Sequence, residues 1–159
     1  MRKTKKNKNI YRPDIKYNSK LVTYFINHIM VKGKKNIACK IFYKTLKIIS
    51  IKFKKKNIKP LNILKVAIKN ASPEVEIKTR KLGGSTYSIP VKIYEKKKIY
   101  LSIKWLILNA RNRNNEKTMS EKLANEIIST YNGIGNTIKK KNEIHKMAES
   151  NKAFSHFKF

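Results

Sequence analysis

The residues of this chain best suited to chemistry are cationic: 39 Lys and Arg stand against 9 Asp and Glu among 159 residues, a formal net charge of +30. Lysine at this density neutralises phosphate, and a chain with so much uncompensated charge is held together most readily beside a polyanion. The groups that acid–base or metal chemistry needs are scattered. Asp14 is the only aspartate, His28, His145 and His156 are isolated from one another, and the single Cys39 can enter neither an internal disulfide nor a multi-cysteine zinc site. Cys39 is read as a small buried hydrophobe. Gly33-Lys34-Lys35 lacks the upstream glycine and following hydroxyl residue of a phosphate-cradling loop, and Gly133-Ile134-Gly135 is an isolated pair. The expectation is a binding protein and not an enzyme, with no catalytic residue, no metal and no cofactor.

Three polyanions compete: RNA, DNA and anionic membranes. No apolar run reaches the roughly 18–20 residues of a membrane span, so a soluble protein is expected. The apolar stripes fit a shared core better than an exposed membrane-binding face. Met1 to Asn9 are basic but lack the amphipathic, Arg-biased character of a transit peptide and the apolar centre of a secretory signal. They are read as an arm, with Lys3, Lys5, Lys6, Lys8 and Arg12 toward phosphate. Arginine occurs only at Arg2, Arg12, Arg80, Arg111 and Arg113, while Lys, Ile and Asn abound. That usage points to an AT-rich genome, such as that of a reduced endosymbiont or an organelle.

Length and a hydrophobic content of 40% allow one domain with tails. A basic N-terminal arm is expected over residues 1–18, a helical body over 19–149, and a basic aromatic tail over 150–159. From Ser19, a possible cap, Leu21, Val22, Phe25, Ile26 and Ile29 recur at helical spacing toward a stop at Gly33. In the next segment Ala38, Ile41, Phe42, Thr45 and Ile49 share one face and Lys40, Lys44 and Lys47 the other. Pro60 suits the first turn of a third helix, with Leu61, Leu64 and Ile68 inward and an end by Pro73.

The period then changes. Val75, Ile77 and Thr79, then Tyr87, Ile89 and Val91, alternate about Gly83-Gly84, which predicts a two-residue hairpin over residues 75–92. Its register would pair Leu82 with Ser85, Arg80 with Tyr87, Lys78 with Ile89 and Glu76 with Val91. Neither face is uniformly apolar, so such a ribbon needs support from another element. Helix resumes near Lys97, with Ile99, Ile103, Leu106, Ile107 and Ala110 inward and Lys97, Lys104 and Arg111 every seven residues opposite. Thr118-Met119-Ser120-Glu121 reads as a capping box for a fifth helix, with Met119, Leu123, Ala124, Ile127 and Ile128 inward. A sixth runs from about Thr137 to Glu149. The fold class is therefore mainly α: about six helices in a single domain, with a two-stranded β-ribbon between the third and fourth.

Aromatic residues among cations could stack on unpaired bases or sugars: Tyr87 opposite Arg80, Trp105 beside Lys104, and Phe154 and Phe157 in the tail. For Trp105 core packing is an equal alternative. A Lys-rich architectural DNA-binding protein remains the competing reading, since ribbon arms occur there too.

Three ordered blocks resemble the small-subunit ribosomal protein seven (S-seven) family in its bacterial and organellar branch. They are Ser19 through Thr45 with Phe25-Ile26, Gly33-Lys34-Lys35 and Ile41-Phe42; Val75 to Val91 with Gly83-Gly84-Ser85-Thr86-Tyr87; and His145 to Phe159. The resemblance implies six helices with a protruding ribbon. It further implies a structural constituent of the small ribosomal subunit that binds the 3′ major domain of its rRNA, nucleates assembly of the subunit head, and lies near exit-site tRNA and the mRNA exit path. Carried onto this chain, rRNA contacts would fall on the arm to Arg12, Lys34 and Lys35, on Lys78, Arg80 and Lys81 of the ribbon, and on the turn from Arg111 through Arg113 to Lys117. The cationic lines add Lys97 and Lys104. Gly83, Gly84, Tyr87, Lys146, Lys152, Phe154, His156, Phe157 and Lys158 would lie toward tRNA or mRNA. Neighbouring head and platform proteins are the implied protein partners, with no membrane. The implied location is the cytoplasmic ribosome of an AT-rich bacterium, or alternatively a plastid or mitochondrial ribosome.

Overall fold

The apolar periodicities resolve into six α-helices and one hairpin in a computed structural model that describes residues 12–54 and 58–157. The helices are α1 (Lys20–Ile29), α2 (Lys35–Lys52), α3 (Pro60–Ala71), α4 (Glu95–Arg111), α5 (Met119–Tyr131) and α6 (Asn136–Ser150). Between α3 and α4 stands the hairpin of β1 (Val75–Leu82) and β2 (Ser85–Lys92), and a 3-10 turn, Lys152–His156, follows α6. The architecture is the one expected. None of the described helices is long and apolar enough to cross a membrane.

Contacts divide the chain into two units, Met1–Lys40 and Ile41–Phe159, with the boundary inside α2. In the first, Val22, Phe25, Ile26 and Ile29 of α1 are buried, as their spacing requires. Ser19 occupies the cap position with extended backbone, but its side chain makes no capping bond, and α1 stops at Ile29, short of Gly33. Part of the arm is ordered by the chain itself. The Asp14 carboxylate accepts the backbone N–H groups of Lys16 (3.1 Å) and Tyr17 (3.0 Å), and the Thr23 hydroxyl donates to the Arg12 carbonyl (2.9 Å). This is the local turn that aspartate favours. Cys39 is half-buried, not enclosed as expected.

The second unit is built from α3, α4, α5 and α6 packed on one another. Ile63, Leu64 and Ala67 of α3, Ile103, Leu106 and Ala110 of α4, and Leu123, Ala124 and Ile127 of α5 are fully buried. Leu61 is only half-buried, because Ile63 and Leu64 together set the inward face of that helix. Phe42, Thr45 and Ile49 of α2 are buried and Lys40, Lys44 and Lys47 exposed, as the helical wheel requires, but Ile41 is only half-buried and Leu46, not among the expected inward residues, is buried beside Thr45. The Thr45 hydroxyl lies 2.9 Å from the Ile41 carbonyl and 3.2 Å from that of Ser120, which links α2 to the start of α5. Ser72 and the buried Ser102 join the end of α3 to α4 through hydroxyls 3.0 Å apart. Trp105 is buried, so core packing decides its alternative.

The ribbon has the expected register throughout, including Arg80 with Tyr87 and Leu82 with Ser85. Gly83 and Gly84 form its turn with φ of 55° and 85°, positions where a Cβ is penalised. The needed support is supplied on both strands: β1 packs along α6 and β2 against the 3-10 turn.

At the entry to α5 both bonds of the capping box form: Thr118 Oγ1 accepts the Glu121 N–H (3.4 Å) and Glu121 Oε2 accepts the Thr118 N–H (3.3 Å). Thr118→Ala is expected to lower stability by about 1 kcal/mol, read as a shift of the urea midpoint at unchanged m-value.

Candidate nucleic-acid interface

Acidic side chains are scarce, and several of them are engaged by cations. Glu76 on β1 takes Lys97 Nζ of α4 at 2.6 Å, and Glu95 takes Lys98 Nζ at 2.8 Å. The Arg113 guanidinium donates through Nε to Glu116 (3.1 Å) and through one terminal nitrogen to Glu126 (2.9 Å). Since 39 cations face 9 acids, carboxylates spent on such pairs cannot screen the remaining lysines. Among the described residues, Lys34, Lys35, Lys44, Lys81, Lys104 and Lys117 are exposed, where phosphate can reach them.

Glu126 organises the local structure. Its carboxylate is fully buried and accepts both the backbone N–H (3.2 Å) and the hydroxyl (2.7 Å) of Thr137, thereby capping α6 from α5. The cap residue Gly135 has φ 114°, and a Cβ there would meet the Ser129 Cβ at 3.1 Å. Glycine is therefore required by both backbone and space. A hydrogen-bonded series continues outward: Asn125 Nδ2 donates to Glu116 (2.7 Å), and Lys52 Nζ donates to Asn125 Oδ1 (2.7 Å). Farther along α6, Lys141 Nζ donates to the Asn70 carbonyl (2.8 Å), and Asn70 Nδ2 reaches the carbonyls of Thr130 and Tyr131. The foot of the ribbon is tied down by His145 Nε2, which accepts the Glu74 N–H at 3.1 Å.

The predicted contact residues fall into distinct settings. Lys3, Lys5, Lys6, Lys8 and Lys158 lie outside the described residues. Arg12 is exposed, as are Lys34 and Lys35 at the entry to α2. On the ribbon Lys78 and Lys81 are exposed, Lys78 being 3.9 Å from Glu76, while Arg80 is half-buried. Lys97, Lys104 and Arg111 stand on the outer face of α4, with the Lys104 ammonium 5.8 Å from the centre of the Tyr100 ring. Lys117 is exposed in the turn before α5, and Lys146 and Lys152 are exposed at the end of α6 and in the terminal turn. Arg113 differs, because its guanidinium is committed to Glu116 and Glu126 and clips the turn to the body.

The tail and ribbon, separated in sequence, come together. Tyr87 lies 5.3 Å from Phe154 and 5.6 Å from Phe157 between ring centres, and the His156 ring lies 4.0 Å from Phe157. These rings pack on one another, so their first role is to hold β2 to the terminal turn. Such pairs contribute about 0.5–1.5 kcal/mol beyond area burial. The sequence reading missed this union, since no local pattern joins positions so far apart. It also missed Glu126, although a carboxylate among Leu123, Ala124 and Ile127 on an inward stripe is a signal for a buried polar clip.

The sequence is similar over most of its length to one protein family. Residues 1–152 match the family model "Ribosomal protein S7p/S5e". A small ribosomal subunit protein uS7 of Natranaerobius thermophilus is 46% identical over 147 residues, 92% of each chain. The uS7 proteins of Cytophaga hutchinsonii and Mycoplasma capricolum subsp. capricolum are 45% and 46% identical over 159 residues, covering 100% of both chains in each case.

Phe154→Ala is expected to reduce amide-exchange protection in β2 about 2- to 12-fold while leaving α3–α5 unchanged, as read by hydrogen exchange. Acid provides a second check. The Asn125 hydrogen bond is the main cause of a Glu116 carboxyl held below its ordinary range; partial burial opposes it and the Arg113 charge adds to it. A lowered folded value contributes stability above the unfolded value of about 4.3, lost as pH falls through the folded one. Asn125→Ala should therefore raise the Glu116 titration midpoint in NMR and reduce the part of the acid-induced stability loss that Glu116 contributes.

Proposed function

Because this chain belongs to the ribosomal protein S7p/S5e family, a structural and non-enzymatic constituent of the small ribosomal subunit, we propose that it binds that subunit's RNA through its displayed lysines. In this reading it engages the 3′ major domain, nucleates assembly of the subunit head, and sets its ribbon and terminal turn beside exit-site tRNA and the mRNA exit path. Neighbouring head and platform proteins complete its surroundings. The relatives named above are bacterial, which supports a bacterial ribosome as its place of work.

The observation that carries the reading is the placement of charge. Exposed Lys34, Lys35, Lys81, Lys104, Arg111 and Lys117 stand outward, while Glu116 and Glu126 are held by Arg113 within the body. Neutralising phosphates that repel one another lets an RNA junction close on the protein, and no bond is made or broken. Lysine supplies a point charge and lacks the planar fork of arginine, so shape and position of the RNA carry the discrimination. The lysines of the arm over residues 1–18 and of the tail over 150–159 add cations to the same reading.

With about 6–10 phosphates neutralised, affinity for a transcript of the small-subunit rRNA is expected to fall about 10³- to 10⁵-fold between roughly 50 and 200 mM salt. A filter-binding titration measures the slope, and a flat slope overturns the reading. Duplex DNA serves as competitor. Equal affinity for it would favour an architectural DNA-binding protein instead.

A further inference from the structure

The aromatic rings first considered as stacking surfaces are largely used inside the protein: Tyr87, Phe154 and Phe157 face one another and Trp105 is buried. One ring remains. Tyr94 is 87% exposed, the highest value among the described Phe, Tyr and Trp residues, and makes no ring contact with any of them. It sits at the junction of β2 and α4 on a rigid mount. Its carbonyl accepts the N–H groups of Lys97 (2.9 Å) and Lys98 (3.0 Å), and the preceding Ile93 is buried and donates its N–H to the Glu74 carbonyl (3.1 Å).

The surroundings are cationic in a particular way. Lys97 and Lys98 hold Glu76 and Glu95, which neutralises the nearby carboxylates. Lys92 and Lys96, two residues before and after Tyr94 in the chain, are exposed and form no ion pair among the described residues. Beside the ring is a depression of about 430 Å³ lined by Lys92, Ile93, Tyr94, Glu95 and Lys98, within the range of small-ligand sites.

We propose that Tyr94 is a stacking platform for one unpaired nucleotide of RNA, its base or ribose on the ring and the adjoining phosphates on Lys92 and Lys96. This rests on the RNA-binding reading above and names a site within it. The backbone of Tyr94 is held by its bonds to Lys97 and Lys98, and its side chain has only two rotatable angles to order. Its π face accepts any base, and the neighbouring lysines can supply phosphate contacts without sequence preference.

The test uses the full chain and a transcript of the small-subunit rRNA. Tyr94→Ala should weaken binding about 5- to 150-fold with an unchanged salt slope, and Tyr94→Phe should preserve it. Replacing Lys92 and Lys96 with Gln should instead reduce the slope by about 0.7 per lost contact. Ultraviolet crosslinking with mass spectrometry should find a nucleotide on the peptide containing Tyr94. Circular dichroism confirms that each variant is folded. Failure of the unsubstituted chain to bind the transcript overturns the function itself, whereas normal binding with an indifferent Tyr94→Ala overturns only this site. If that variant binds RNA normally but is depleted from assembled subunits, the ring meets a protein neighbour and the inference is likewise wrong.

Discussion

A single buried carboxylate carries a long series of consequences. Glu126 is enclosed at the meeting of α5, the preceding turn and the start of α6, where an unpaired charge would cost several kcal/mol. Arg113 and Thr137 satisfy it, and in doing so they fix the turn before α5 and the first residue pair of α6. The direction of α6 then determines where His145 meets the ribbon and where the terminal turn meets β2. The hairpin has no dry face of its own, so this support decides whether it is a defined finger or a fluctuating one.

The same economy governs charge. A chain with +30 has few acids, and two of its pairings join elements, Glu76 of β1 with Lys97 of α4 and Glu116 and Glu126 with Arg113, while Glu95 pairs with Lys98 at the surface within α4. These pairs occupy three cations, Lys97, Lys98 and Arg113, a small share of the excess. Self-repulsion is reduced by RNA, so the partner completes the electrostatics of the fold as well as being its ligand. Arginine and lysine divide the work accordingly. The planar Arg113 makes two directed carboxylate contacts inside, and flexible lysines serve outside.

Most elements were legible from local pattern. Apolar residues spaced three and four apart located the helices, Gly83-Gly84 between alternating strands determined the ribbon register, and the Thr118–Glu121 box marked the start of α5. Less legible were matters of choice between equals. Ser19 is a good cap by type yet makes no capping bond, and Leu61 is as apolar as Ile63 yet less buried. The candidate site was visible as composition, since an excess of lysine opposite core stripes is a property of spacing. Its internal division into contacting and structural residues was not.

By itself the sequence determined the secondary elements, the ribbon's pairing and the polyanionic character of the partner, because helical period and strand alternation are set by near neighbours and net charge is a sum over composition that needs no fold. Tertiary structure alone decided that Arg113 clips the body, that Tyr87, Phe154 and Phe157 face one another, and that Tyr94 is left in solvent. The reason is physical. Whether a cation or a ring meets its own chain or a partner depends on which groups distant in sequence arrive within a few ångströms, and only the packing of α5, α6 and the ribbon brings them there.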